Sequence, residues 1–142
     1  MWFLLGVLYG NIIEYVVHRY LFHGLGKKKT SIFAFHLREH HINCRRNDYE
    51  DKRFSLVEVL GLLFLLMLHL PLLFVAPSFF GAVAAYAVSF IVVHNGLHIF
   101  PSFGKKYFKW HWNHHMKNQN KSWGVVLPIM DILTGTLEKP KK

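Results

Sequence analysis

Residues 54–98 read FSLVEVLGLLFLLMLHLPLLFVAPSFFGAVAAYAVSFIVVHNGLH, and this stretch decides the fold. It holds two long apolar runs, Phe54 to Ala76 and Phe79 to about Leu97, parted by the uncharged break Ala76-Pro77-Ser78. At ~1.5 Å per residue the first of these spans roughly 34 Å as a helix, the thickness of a ~30 Å hydrocarbon core. The pair reads as a tight helical hairpin, with Pro71 as a kink or the far end of the first arm. Outward from the hairpin, a further apolar run occupies Trp2 to about Val17 and continues amphipathically to Phe22. With no basic residue before it and no small-residue cleavage site after it, this run is expected to be a membrane helix rather than a cleaved signal.

Charge separates from these runs. The chain has 142 residues, 52% of them hydrophobic, and a net charge of +9. Its 17 Lys and Arg begin at Arg19, and none lies between Phe54 and Gly104. A nucleic-acid binder would interleave its basic residues with its fold, so that class is excluded. Basic loops on one side of apolar spans predict orientation instead. The expected architecture is an all-α, multi-pass membrane bundle in one domain over residues 1–142. Its transmembrane helices cover about 2–22, 54–76 and 79–98. The basic segments, about 24–53 and 101–142, are expected in the cytoplasm.

Histidine is the other anomaly, with 11 residues in the chain. Ten fall in four groups: His18 and His23; His36, His40 and His41; His94 and His98; His111, His114 and His115. The expected topology brings all four to the cytoplasmic surface as a histidine-rich cap. Neutral imidazole is the commonest metal ligand. His94 and His98 are four apart and share a helix face, as do His36 with His40, and His111 with His114 and His115. His18 and His23 are five apart, ~140° around an ideal helix, so they converge only if the helix frays or if they serve different metals or faces. Ten imidazoles exceed the needs of one ion and suit two, each with four or five nitrogens. Glu14, Glu39 and Asp131, with Glu58, are candidate carboxylates to hold ligand rings from behind. His69 lies deep in the second run and reads as a structural or substrate-tunnel residue. The single cysteine, Cys44, excludes an intrachain disulfide and a thiolate zinc knuckle, and reads as a free thiol.

The run Glu14-Tyr15-Val16-Val17-His18-Arg19-Tyr20-Leu21-Phe22-His23 resembles the first histidine box of the fatty acid hydroxylase superfamily, most closely its fatty acid 2-hydroxylase branch. His36-Leu37-Arg38-Glu39-His40-His41 is similar to the second box, with three residues before its His-His pair where the 2-hydroxylases have two. His94-Asn95-Gly96-Leu97-His98 and His111-Trp112-Asn113-His114-His115 resemble the third and last, and Ser122 to Asp131 with Gly135-Thr136 resembles the closing motif. The resemblance covers about Gly10 to Leu137. It implies a membrane oxygenase with two histidine-bound metal ions, usually iron, the ten clustered histidines being the ligands. It further implies hydroxylation of a lipid, first a fatty acid or fatty acyl chain, with sterol or carotenoid hydroxylation or desaturation as the alternative. Zinc binds the same ligands more tightly and can replace iron in purified protein. No G-x-G-x-x-G dinucleotide fingerprint occurs, so electrons are expected from a cytochrome b5- or ferredoxin-type protein docking on Lys105, Lys106, Lys109, Lys117 and Lys121. From another class, a membrane metal transporter or metal-binding protein would use the same histidines.

Overall fold

A computed structural model describes residues 1–138, and the last four residues of the expected basic tail, 139–142, lie outside that range. Among the described residues the chain is all-helical. Helix α1, Trp2–Val16, runs on without a break into π-helical turns over Val17–Gly24. A second π-helical stretch, His36–His40, leads into α2, His41–Arg46. Then come α3, Leu56–His69; α4, Leu72–Val75; and α5, Pro77–Ile99. Two short helices follow, α6 (Pro101–Tyr107) and α7 (Lys109–Met116), and α8 (Ile129–Thr134) closes the fold.

Local chemistry explains the breaks. Ser55 caps α3 by accepting from the Glu58 amide at 3.3 Å. The expected 54–76 helix is interrupted at Leu70-Pro71, because Pro71 has no amide hydrogen to give the preceding turn. Proline also opens α5 and α6, where its missing donor costs nothing. Among the described residues α5 alone is long and apolar enough to cross a membrane by itself, with mean hydropathy 1.6.

Helices α1 and α5 form the principal packed pair. A Cβ on Gly6 would stand 2.6 Å from the Phe79 carbonyl oxygen, and one on Gly10 would stand 2.7 Å from Cγ of Tyr86. The spacing Gly6-x-x-x-Gly10 is what lets the backbones close to this distance. Polar groups then pin the tail onto the pair. Asn11 donates to the Leu127 carbonyl and to Tyr86, both at 2.8 Å, and accepts from the Met130 amide at 3.2 Å. Glu14 accepts from the amides of Val125 and Val126 and from the Tyr86 hydroxyl.

Helices α1 and α3 carry apolar side chains on the outside, and the histidine end of the bundle is polar inside. Leu60, Leu63, Phe64, Met67 and Leu68 of α3, and Leu4, Leu5 and Leu8 of α1, are exposed, while nine of the ten clustered histidines are buried and His40 nearly so.

Candidate metal centre

The ends of α1 and α5, the His36–Arg46 segment and α7 meet at one end of the bundle, and there the histidines sort into two adjoining groups. His18, His23, His36, His41 and His114 form the first, all buried, with ligand nitrogens within 4.8 Å of one another. His94, His98, His111 and His115 form the second, at the same spacing. His40 forms a third set with Cys44, His98 and His115, which overlaps the second, and its Nε2 lies 3.1 Å from that of His94. The two groups touch through the rings of His41 and His115, stacked 4.1 Å apart.

Helix geometry explains the sorting. A π-helix bonds residue i to i+5, so residues five apart stack on one face. His18 and His23 lie in one such stretch, their rings 5.1 Å apart, in one group. The helix neither frays nor divides them, contrary to the expectation for an α-helix. His41 donates its amide to the His36 carbonyl, an i+5 bond, and these two also share the first group. His36 and His40, expected on one face, therefore go to different groups. On the α-helices the four-apart pairs hold: His94 with His98 and His111 with His115 enter the second group, but His114 turns away into the first. Each His-His doublet thus supplies one ring to each group, because adjacent helical residues point ~100° apart.

Partners behind the rings set which nitrogen faces inward. His18 donates from Nδ1 to the Trp123 carbonyl, His98 to that of Tyr49 at 2.9 Å, and His114 to that of Lys121 at 2.7 Å. His40 donates from Nδ1 to Asp51 at 3.1 Å. In each ring Nε2 is left to face its neighbours: His18 to His36 at 3.1 Å, His114 to His23 at 3.0 Å, His111 to His98 at 3.3 Å. Burial, reinforced by neighbouring rings, lowers the pKa of His41, His111 and His115 well below the ordinary histidine value, so these imidazoles are neutral, the form that can bind a metal. Burial would raise the Asp51 carboxyl, but hydrogen bonds from His40 and Arg53 outweigh it and hold it below the usual carboxylate range.

The donor set fits metal ions. Both ring nitrogens of His41 and of His115 are buried without a hydrogen-bond partner. Each such orphan costs ~1–3 kcal/mol, and an ion in each group would take the one lone pair of its ring.

The carboxylates distribute differently from expectation. Glu14 makes no hydrogen bond to His18; its oxygens accept from Val125, Val126 and Tyr86, so it is an interhelical contact. Glu39 is exposed and pairs with Arg53 at 3.7 Å. Asp131 is buried and accepts from the amides of Trp123 and Gly124 at 2.9 and 2.7 Å, fixing the segment whose carbonyl holds His18. Glu58 faces His36 and His94. Asp51 and the carbonyls of Tyr49, Lys121 and Trp123 were not legible beforehand, since loops carry them to the rings. Tyr49 is fully buried with φ of 80°, a left-handed residue that aims its carbonyl at His98. Cys44 is a free, buried thiol 3.4 Å from Nδ1 of His98.

Two cavities reach the centre. One, of about 260 Å³, is almost wholly apolar and runs between α1, α3 and α5 from His18 and Glu58 to His69. At its far end His69 donates to the Leu65 carbonyl at 2.7 Å and accepts from the Tyr9 hydroxyl at 2.8 Å, so it stands apart from the cluster with both nitrogens satisfied. The other, of about 310 Å³, is of mixed character, with Asp51, Arg53, Glu58 and His94 beside Phe54 and Leu56 in its lining.

Comparison with known proteins agrees with this geometry. The chain is similar to a dihydroceramide fatty acyl 2-hydroxylase of Arabidopsis thaliana, 29% identical over 146 residues that cover 93% of this chain. The chain spans 58% of that relative's length. No solved structure matches it. The profile of the fatty acid hydroxylase family matches residues 3–136, nearly the whole chain with all ten clustered histidines, and the chain belongs to that family.

Proposed function

We propose that this chain is a membrane-embedded lipid hydroxylase that holds two metal ions, iron in the cell, in its two histidine groups and acts on a fatty acyl chain. One observation carries the reading: of two adjoining shells of buried imidazole, the first opens onto an apolar cavity at His18, beside Glu58, which also faces His94 of the second. When bound, the metal pair supplies the oxidant for C–H cleavage, with the balance RH + O2 + 2 e⁻ + 2 H⁺ → ROH + H2O.

The protein's own residues do the rest. Ile13, Val17, Leu62 and Phe90 line the cavity and exclude water from the acyl chain. The chain lies methyl end toward His69, with the reacting carbon under His18. The second cavity beside Glu58, with Asp51, Arg53 and Asn95 in its lining, takes the lipid's head. A carbon close to the head would then lie at the metals, in keeping with the 2-hydroxylase activity named for the relative.

Charge and exposed apolar surface support a multi-pass arrangement. In it α1 with its π-helical continuation, α3 with α4, and α5 cross the bilayer, and the basic segments lie on the cytoplasmic face. Lys105, Lys106, Lys109, Lys117 and Lys121 are exposed on that face and would dock an acidic electron-donor protein of the cytochrome b5 or ferredoxin type.

Single substitutions His114→Ala and His115→Ala remove one ligand from each group. Each should abolish hydroxylated lipid and reduce bound metal while the protein still inserts. Lipid profiling of expressing cells, with metal analysis of the purified protein, checks this, and product at wild-type level from both variants would refute it.

A further inference from the structure

Glu58 occupies a position that neither histidine group by itself explains. It is the third residue after the Ser55 cap, where a glutamate ordinarily folds back to the cap's own amide. Here the carboxylate turns instead to the histidines. Its Oε1 lies 3.7 Å from Nδ1 of His36, and its Oε2 lies 3.5 Å from Nδ1 of His94. The side chain is 4% exposed.

His36 belongs to the first group and His94 to the second. Both Nδ1 atoms are buried and have no other hydrogen-bond partner. Their Nε2 atoms face inward, each 3.1 Å from another ligand ring. The other rings with an oxygen partner at Nδ1 use acceptors that serve the rings singly, Trp123, Tyr49 and Lys121 carbonyls and Asp51, and the Cys44 thiol near His40 and His98 stays within the second group and the set that overlaps it. Among the described residues, Glu58 is the one acid that faces a ring of each group.

We infer that Glu58 is a positioning residue shared by the two metal sites, one oxygen fixing the Nδ1–H tautomer of His36 and the other that of His94, so that the sites load as a linked pair. The inference rests on the two-metal reading above. An imidazole that gives Nδ1–H to a carboxylate keeps its Nε2 lone pair for the metal and is the more basic for it. The distances stand slightly beyond hydrogen-bond length. A small movement of either ring toward the carboxylate shortens its contact, draws the carboxylate, and orients the ring of the other site.

The test is zinc(II) titration of the full, metal-stripped chain against a chromophoric chelator, for the wild type, Glu58→Ala, Glu58→Gln and Asp51→Asn. Removing an acceptor behind a ligand weakens metal binding by ~10–100-fold. Glu58→Ala should show that loss at both sites, and Asp51→Asn at one. Glu58→Gln keeps one acceptor oxygen and puts a donor at the other, so it should weaken at least one site and separate the two binding steps. Glu58→Ala with either site at wild-type affinity would overturn the inference, as would Glu58→Gln with both unchanged. A purely structural role would lower the melting temperature of the metal-free protein and leave zinc affinity alone, which also refutes it. A wild-type chain that takes up no zinc pair would instead refute the two-metal reading itself, and activity plays no part in the measurement.

Discussion

At the scale of single residues, the centre is built from neutral imidazoles held in low-dielectric surroundings. His41 and His115 have depressed pKa values because burial disfavours the imidazolium and the adjacent rings would repel it. A histidine whose folded-state pKa lies below its unfolded value of ~6.5 leaves stability fully present above that pH. As pH falls below ~6.5 the unfolded chain takes up protons that the folded cap refuses, and each such histidine withdraws up to ~1.4 kcal/mol per pH unit. The metal-free protein in detergent should therefore lose melting temperature steeply between about pH 6.5 and 5. A flat profile across that range would show that the rings are not buried neutral. Protons also compete with metal for the same lone pairs, so metal release should follow the same direction. Asp131 shows how far behind a ligand a residue can act. It touches no histidine, yet it holds the Trp123 segment whose carbonyl orients His18.

At the scale of elements, the period of the helix assigns each ring. The first group draws its five-apart pairs, His18 with His23 and His36 with His41, from π-helical turns. The second draws its four-apart pairs, His94 with His98 and His111 with His115, from α-helices. The second box, one residue longer than in the 2-hydroxylases it resembles, falls in a π-helical stretch, and a π-helical turn is the device that absorbs an added residue. Moving one ligand into α-helical spacing tests this. The double substitution Phe22→His with His23→Phe keeps the composition and places the histidines four apart. It should lower metal content at the first group and abolish activity, measured by metal analysis and product formation. Retained metal at wild-type stoichiometry would mean that the π-helical turns are incidental.

At the scale of the whole molecule, the apolar cavity has a defined length. Its roof is at Glu58 and its floor at His69, eleven residues along α3, or ~16 Å of helical rise. The Tyr9–His69 hydrogen bond ties that floor across from α3 to α1. Gly61 lines the same cavity, and a Cβ added there would meet nothing within 4 Å. Gly61→Leu should fill the cavity near its roof and shift product toward shorter acyl chains, whereas His69→Ala should open the floor and admit longer ones. Mass spectrometry of the hydroxylated products across chain lengths reads both shifts. An unchanged profile in both variants would remove the cavity from the substrate path.

Much was legible in the sequence because its signals are local. Apolar runs without Lys or Arg, prolines at 71 and 77, and four histidine boxes determine helices, their breaks and a capacity to bind metal. Burial and hydrogen bonding are not local, and there the tertiary structure decided. Spacing computed for an α-helix could not foresee π-helical turns, so it misassigned His18 with His23 and His36 with His40. Nor could spacing tell which acid lies behind which ring. Glu14, one turn from His18, is claimed by the amides of Val125 and Val126, which are brought back from the far end of the chain. Glu58, forty residues from His18 and at the start of another helix, faces the two groups because α3 lies against the end of α5, where His94 stands. The sequence thus determined which residues could bind metal, and only packing decided how they divide between two groups and what stands behind them.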